Sequence, residues 1–161
     1  MDPRIGPLAE ILRLNTRLFV NCLDGMNDEQ ASLRPSAATN NAGFVALHVA
    51  DARYFLLGLL GAELANPFAA LAGDARGIDD LGVLPPLGTI RTAWTAVADA
   101  VDHRLQQIAA AELDAPTASR FPVEPPTLLG ALTFLVQHDS YHVGQLALLR
   151  KHAGLPAMGY D

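Results

Sequence analysis

A single cysteine, Cys22, stands in the chain, so no intramolecular disulfide can form. A reducing, intracellular setting is the expectation that follows. Basic residues are scarce: 11 Lys and Arg against 17 Asp and Glu leave a formal net charge of -6. Phosphate backbones and anionic membrane surfaces both need a basic partner, so neither is an expected ligand. The opening stretch MDPRIGPLAEILRLN lacks a continuous apolar segment, which argues against a secretory signal. Apolar runs such as FLLGLLGAELA, from Phe55, are too short to span a bilayer. The expectation is a soluble, cytoplasmic protein with no nucleic-acid and no membrane partner. No segment alternates with a period of two, so no sheet is expected. Internal repeats and low-complexity tracts are also missing.

What is present is a strong helical rhythm. Half of the 161 residues are hydrophobic and 17% are charged, which suits one domain, 1–161, with a substantial core. Four segments carry apolar residues at three- and four-residue spacings. The first runs from about Pro7 to Leu23 and places Cys22 on its apolar face, as a small core residue rather than a reactive thiol. The second runs from about Asn41 to Leu60 with Phe44, Val45, His48, Ala52, Phe55, Leu56 and Leu59 in one stripe. The third is expected from Thr89, as N-cap, to Glu112, and the fourth from Pro126, in its first turn, to Ala153. The middle link, Gly61 to Gly88, is long enough to hold a short helix near Pro67–Leu71 or Ile78–Leu81. These features predict an all-α four-helix bundle with a long crossover connection.

Two histidines stand four apart in QHDSYHVGQ on the fourth segment. His138 and His142 therefore project from one helix face, the face that also carries Leu135, Gln145 and Leu149. Imidazoles aimed into an apolar interior need hydrogen bonds or a metal. His48 occupies the middle of the second apolar stripe, and helices in a bundle lie roughly 8–10 Å apart. Three neutral imidazoles meeting there would make a divalent metal site with open positions for water or substrate. The alternative is that each ring hydrogen-bonds separately to the backbone or a carboxylate. His103 reads as solvated, and His152 is about 15 Å along the axis from His142, too far to share an ion.

Among the neighbours, Gln145 is one turn from His142 and is the candidate catalytic side chain, contacting bound water or ligand. Its alternative is an amide satisfied by the backbone. Asp139 and Asp51 read as solvated surface carboxylates, Tyr141 as a packing tyrosine, and Gly144 as a point of close helix approach. Arg53 and Arg150 should point away from the histidine face.

The segments NNAGFVALHVADARYFLLGLLG and HDSYHVGQLALLRKHAGLP, with the four-helix layout, resemble the DinB-like (DinB/YfiT-like) family of metalloenzymes. That resemblance implies a divalent metal, zinc or nickel, held by His48, His138 and His142. It also implies a homodimer acting on a small-molecule substrate. Relatives include transferases and isomerases that use a low-molecular-weight thiol, so a thiol S-transferase, or a hydrolase activating water, is the expected activity. A non-catalytic metal- or ligand-binding bundle, or a dimerisation module, is the alternative. A zinc protease fits less well, because Asp139 replaces the glutamate of HExxH and no downstream ligand motif follows. An all-histidine site should lose its metal below roughly pH 6.

Overall fold

The computed structural model describes residues 2–73 and 75–160. Its helices are α1 (Gly6–Leu23), α2 (Asp28–Ser32), α3 (Ala42–Leu59), α4 (Ala69–Ala72), α5 (Leu87–Gln107), α6 (Ala110–Leu113) and α7 (Leu128–His152), with a 3-10 turn at Ile78–Asp80. Among the described residues there is no strand, only a lone bridge between Pro116 and Thr127.

The long helices begin and end for identifiable reasons. Asn41 caps α3 by accepting the Phe44 N–H at 2.8 Å, and Thr127 caps α7 by accepting the Gly130 N–H. Pro126 thus precedes the cap rather than sitting in the first turn. Thr89 is not a cap either. Helix α5 starts two residues before it, and the Leu87 N–H is taken by the Asp28 carboxylate at 2.8 Å, from the other side of the sequence. The chain turns extended at Ile108, which is buried, so what reads as one segment to Glu112 is α5 followed by the short α6. Asn27 and Gln30 form a reciprocal capping box that makes α2, a helix the periodicity does not reveal in so short a stretch. Both sites offered for a short helix in the middle link are used.

Around the bundle, α1 packs on α7 and α5, and α3 packs on the same two. Cross-helix bonds give the directions. Asn15 reaches Ser140 and Cys22 reaches Val143, so α1 and α7 run parallel. Tyr54 bonds to the Ala93 carbonyl and Arg104 to that of Leu60, so α3 and α5 also run parallel. Arg91 reaches Leu23 while Arg13 reaches Asp102, so α1 and α5 are antiparallel. Two parallel neighbours joined in sequence require a connection as long as the bundle. The middle link is that crossover. It returns past Asp51, held by Asn66 at 2.7 Å, to the start of α3, where the Ile78 N–H meets Asn40.

The core centres on Trp94, fully buried and stacked on Phe19 at 4.2 Å between centroids. Cys22 is buried there too, and burial pushes its thiol up to about 11, as suits a core residue. Helix α3 is long and apolar enough to cross a membrane by composition, a longer stretch than the runs near Phe55 suggested, and 67% of it is buried against the rest of the chain. A helix apolar on nearly every face is what the middle of a bundle requires.

Two glycines of α7 differ sharply. A Cβ on Gly130 would sit 2.4 Å from the Pro125 carbonyl oxygen, whereas one on Gly144 would meet nothing within 4 Å. Gly144 therefore does not mark a close helix approach within the chain. Gly130→Ala is expected to destabilise the protein by about 1–3 kcal/mol through backbone displacement. Gly144→Ala should stabilise it by roughly 0.5–1 kcal/mol by favouring helix. Chemical denaturation of the two variants checks both signs.

Candidate metal centre

Helices α3 and α7 pack side by side and antiparallel, which brings the middle of one against the middle of the other. His48 projects from α3, and His138 and His142 project from successive turns of α7. All three are half-buried. One ring nitrogen from each lies within 4.8 Å of the others. His138 Nε2 is 3.1 Å from both His48 Nε2 and His142 Nε2. Two donors bound at about 2.1 Å to one tetrahedral ion stand roughly 3.4 Å apart, so the spacing suits such an ion.

The donor chemistry points the same way. An imidazole nitrogen has one in-plane site, either a proton or a lone pair. His138 Nε2 thus has no means of making two full hydrogen bonds, one to each neighbour. A shared cation satisfies three inward lone pairs at once. His138 Nδ1 is buried and has no hydrogen-bond partner. His142 is held more firmly. Its Nδ1–H donates to Gln145 Oε1 at 2.7 Å, and the Gln145 amide donates to Tyr141 Oη at 3.1 Å. That chain leaves the lone pair of His142 on Nε2, facing the other two rings.

Electrostatics keep the rings neutral. Burial, then the neighbouring His142 and His48, lowers His138 from 6.5 to about 4. His48 is lowered by burial and by His142, with Asp51 opposing. His142 is lowered by burial, against the raising effect of its bond to Gln145. Neutral imidazole is the form that ligates.

The other residues of interest fall as follows. Gln145 is not satisfied by backbone: its side-chain amide links His142 Nδ1 to Tyr141 Oη. Asp139 is not a solvated carboxylate: it is 2% exposed and bonds Arg53 Nε at 2.5 Å. Burial pushes its carboxyl up and the guanidinium pulls it back. The guanidinium stays protonated, and its short bond to Asp139 favours the carboxylate form. Arg53 does point away from the histidines, but into the core, at 1% exposure. Arg150 also points away, pinning the C-terminal tail through Pro156 and the end of α1 through Cys22 and Asp24. Asp51 binds Asn66. His103 is exposed against Gln107, and His152 is exposed in the last turn of α7. Phe55, expected in the apolar stripe, is 47% exposed.

The Arg53–Asp139 pair escaped the sequence reading. The signal was available: a lone arginine in a helix apolar on nearly all sides must be buried, and a buried cation needs an anion.

Space beside His48 is small, about 10 Å³, lined by Phe44, Leu47, Ala72, Ala75 and Leu81. A larger cavity of about 410 Å³ lies elsewhere, between Asp28, Asn41 and Leu87. The larger cavity brings together no ligand set comparable to the three histidines.

A crystal structure described as a conserved protein of locus from Enterococcus faecalis is similar in fold. It has a TM-score of 0.74 at 16% identity, over 91% of this chain and 95% of that one. No curated protein matches the chain. A family model described as the DinB superfamily matches residues 11–146, a span that takes in all three histidines. With that match over most of its length and an all-helical bundle to accompany it, the chain belongs to the DinB superfamily.

Proposed function

We propose that the protein is a metal-dependent enzyme in which His48, His138 and His142 hold one divalent ion, zinc or nickel, and a small-molecule thiol is the nucleophile. The observation that carries this reading is His138 Nε2 at 3.1 Å from both other imidazole nitrogens, a contact pattern that a shared cation satisfies. When bound, such an ion lowers the pKa of a thiol so that it persists as thiolate near neutral pH. Cys22 is buried in the core, so the thiol would be a low-molecular-weight cofactor. The same ion would acidify a bound water, so activated water is the second nucleophile that such a centre could supply. The reading carries with it a small-molecule substrate, a homodimer and a cytoplasmic setting.

Gln145 has a positioning role in this scheme. Gln145→Leu removes the acceptor for His142 Nδ1–H and is expected to weaken metal affinity about 10–100-fold while leaving the fold intact. Cobalt(II) titration of untagged protein, followed in the visible, measures it. Addition of a small thiol to the cobalt form should then produce a sulfur-to-metal charge-transfer band. Stoichiometric metal without that band, and without turnover of electrophiles in the presence of thiols, would favour a metal-binding module instead. Absence of metal binding would end the proposal.

A further inference from the structure

The crossover link forms one wall of the larger cavity, about 410 Å³, against α2 and the start of α3. Both ends of that wall are fastened. The Ile78 N–H donates to Asn40 Oδ1 at 3.0 Å, and the Leu87 N–H donates to Asp28 Oδ1 at 2.8 Å. Between them Leu84 is seated on α3, where a Cβ at Gly43 would stand 3.0 Å from Leu84 Cδ1. Ile78, Val83, Leu84, Pro85 and Pro86 make the wall apolar, and Val83 is left 86% exposed. The cavity shares no lining residue with the space beside His48.

The polar edge of the cavity is one-sided. Ser32 Oγ donates to the Glu29 carbonyl, and the Asn41 amide is engaged with the Phe44 N–H and the Ser32 carbonyl. Asp28 gives Oδ1 to Leu87, and its Oδ2 accepts no hydrogen bond among the described residues. No Lys, Arg or His among the described residues lines the cavity, and Pro85 and Pro86 carry no N–H. A carboxylate beside apolar walls, with no cation to balance it, selects a ligand that brings its own positive charge and its own donors. We infer that this cavity binds a hydrophobic primary ammonium, with the charged nitrogen at Asp28 Oδ2 and a compact alkyl body against Ile78 and Val83. The alkyl body takes the Val83 side chain out of water, which is the apolar part of the binding energy. Because the wall is fastened at both ends, little chain has to be ordered on binding. The formal net charge of -6 favours the approach of a cation. None of this depends on the metal-dependent activity proposed above.

The probe is cyclohexylmethylamine, charged at neutral pH, titrated into the full chain by calorimetry. Cyclohexylmethanol is the control that lacks the charge, and methylamine the control that lacks the apolar body. Saturable binding of the probe is expected, about 10-fold or more tighter than either control. Asp28→Asn keeps an acceptor for the Leu87 N–H and removes the charge. It should weaken the amine about 10-fold, leave the alcohol unchanged and alter the melting temperature little. Val83→Ser, at an exposed position, should weaken amine and alcohol alike by about 3–5-fold. Equal affinity for amine and alcohol would overturn the inference, as would wild-type amine affinity in Asp28→Asn or in Val83→Ser. His48→Ala removes a proposed metal ligand and should bind the amine as wild type does, so loss of metal binding leaves this site standing. Weakened amine binding in His48→Ala would move the ligand to the histidines and overturn it.

Discussion

Arg53→Ala is expected to destabilise the protein by about 3–5 kcal/mol, roughly a fifth or more of the stability of a typical domain. The reason is the position of the guanidinium. It bonds Asp139 on α7 at 2.5 Å, Thr16 Oγ1 on α1 at 3.2 Å and the Leu12 carbonyl at 3.4 Å, and lies 4.5 Å over the Trp94 ring on α5. One side chain from α3 thus touches all three other long helices. Removing it leaves Asp139 as an unpaired carboxylate at 2% exposure, as well as a void beside Trp94. Arg53→Lys should recover little, because a point charge cannot serve three acceptors in fixed directions and stack on an indole. The double variant Arg53→Leu, Asp139→Leu should recover most of the loss, since no charge remains buried. A melting-temperature drop of roughly 10–15 °C for Arg53→Ala is the simplest readout. A variant within about 1 kcal/mol of wild type in urea would contradict this description of the core. Because Asp139 is the residue after His138, a shifted Asp139 also displaces that ring, and Arg53→Ala should bind metal more weakly even where it remains folded.

Acid should strip the proposed metal, and then the protein should lose stability, with both effects traced to the histidines. All three have lowered pKa values in the folded chain, His138 from 6.5 to about 4. A lowered value means that the unfolded chain binds more protons than the folded one at intermediate pH. Stability is therefore fully present above about 6.5 and is lost as pH falls toward 4. His138, the most strongly depressed of the three, contributes the largest part of that loss in metal-free protein. The same depression shields the metal. Burial works against proton competition at all three rings, and release is expected as pH falls below roughly 6, where protons begin to compete for the imidazoles. Metal content after equilibration at stepped pH values measures release, and His138→Ala should lower affinity by more than the 10–100-fold typical of losing an orienting neighbour. Full metal retention at pH 3, or unchanged affinity in His138→Ala, would rule out an all-imidazole site.

The helices and the three histidines were legible because periodicity is a local property. Spacing alone puts His138 and His142 on one face of α7, and His48 into an apolar stripe of α3. The exceptions are cases where a distant residue decided the outcome. Helix α5 begins at Leu87 because Asp28, far away in sequence, accepts its N–H. Phe55 leaves the apolar stripe because its ring turns toward Phe121 on a link that carries no periodic signal. Gln145 was rightly placed near His142, but the role of its amide depends on where Oε1 points, and that is fixed by Tyr141 and His142 together.

From the order of its residues alone this protein is committed to four long helices with apolar faces, an inward-facing histidine pair and a third histidine on another helix. These follow from the 3.6-residue turn and from the cost of exposing apolar faces. Tertiary structure decided which helices are neighbours, that the middle link runs the length of the bundle, and that Arg53 and Asp139 meet in the core. It also decided that the three imidazole nitrogens face one point. Those outcomes belong to contacts between residues about 90 positions apart, and no local pattern encodes the distance between them.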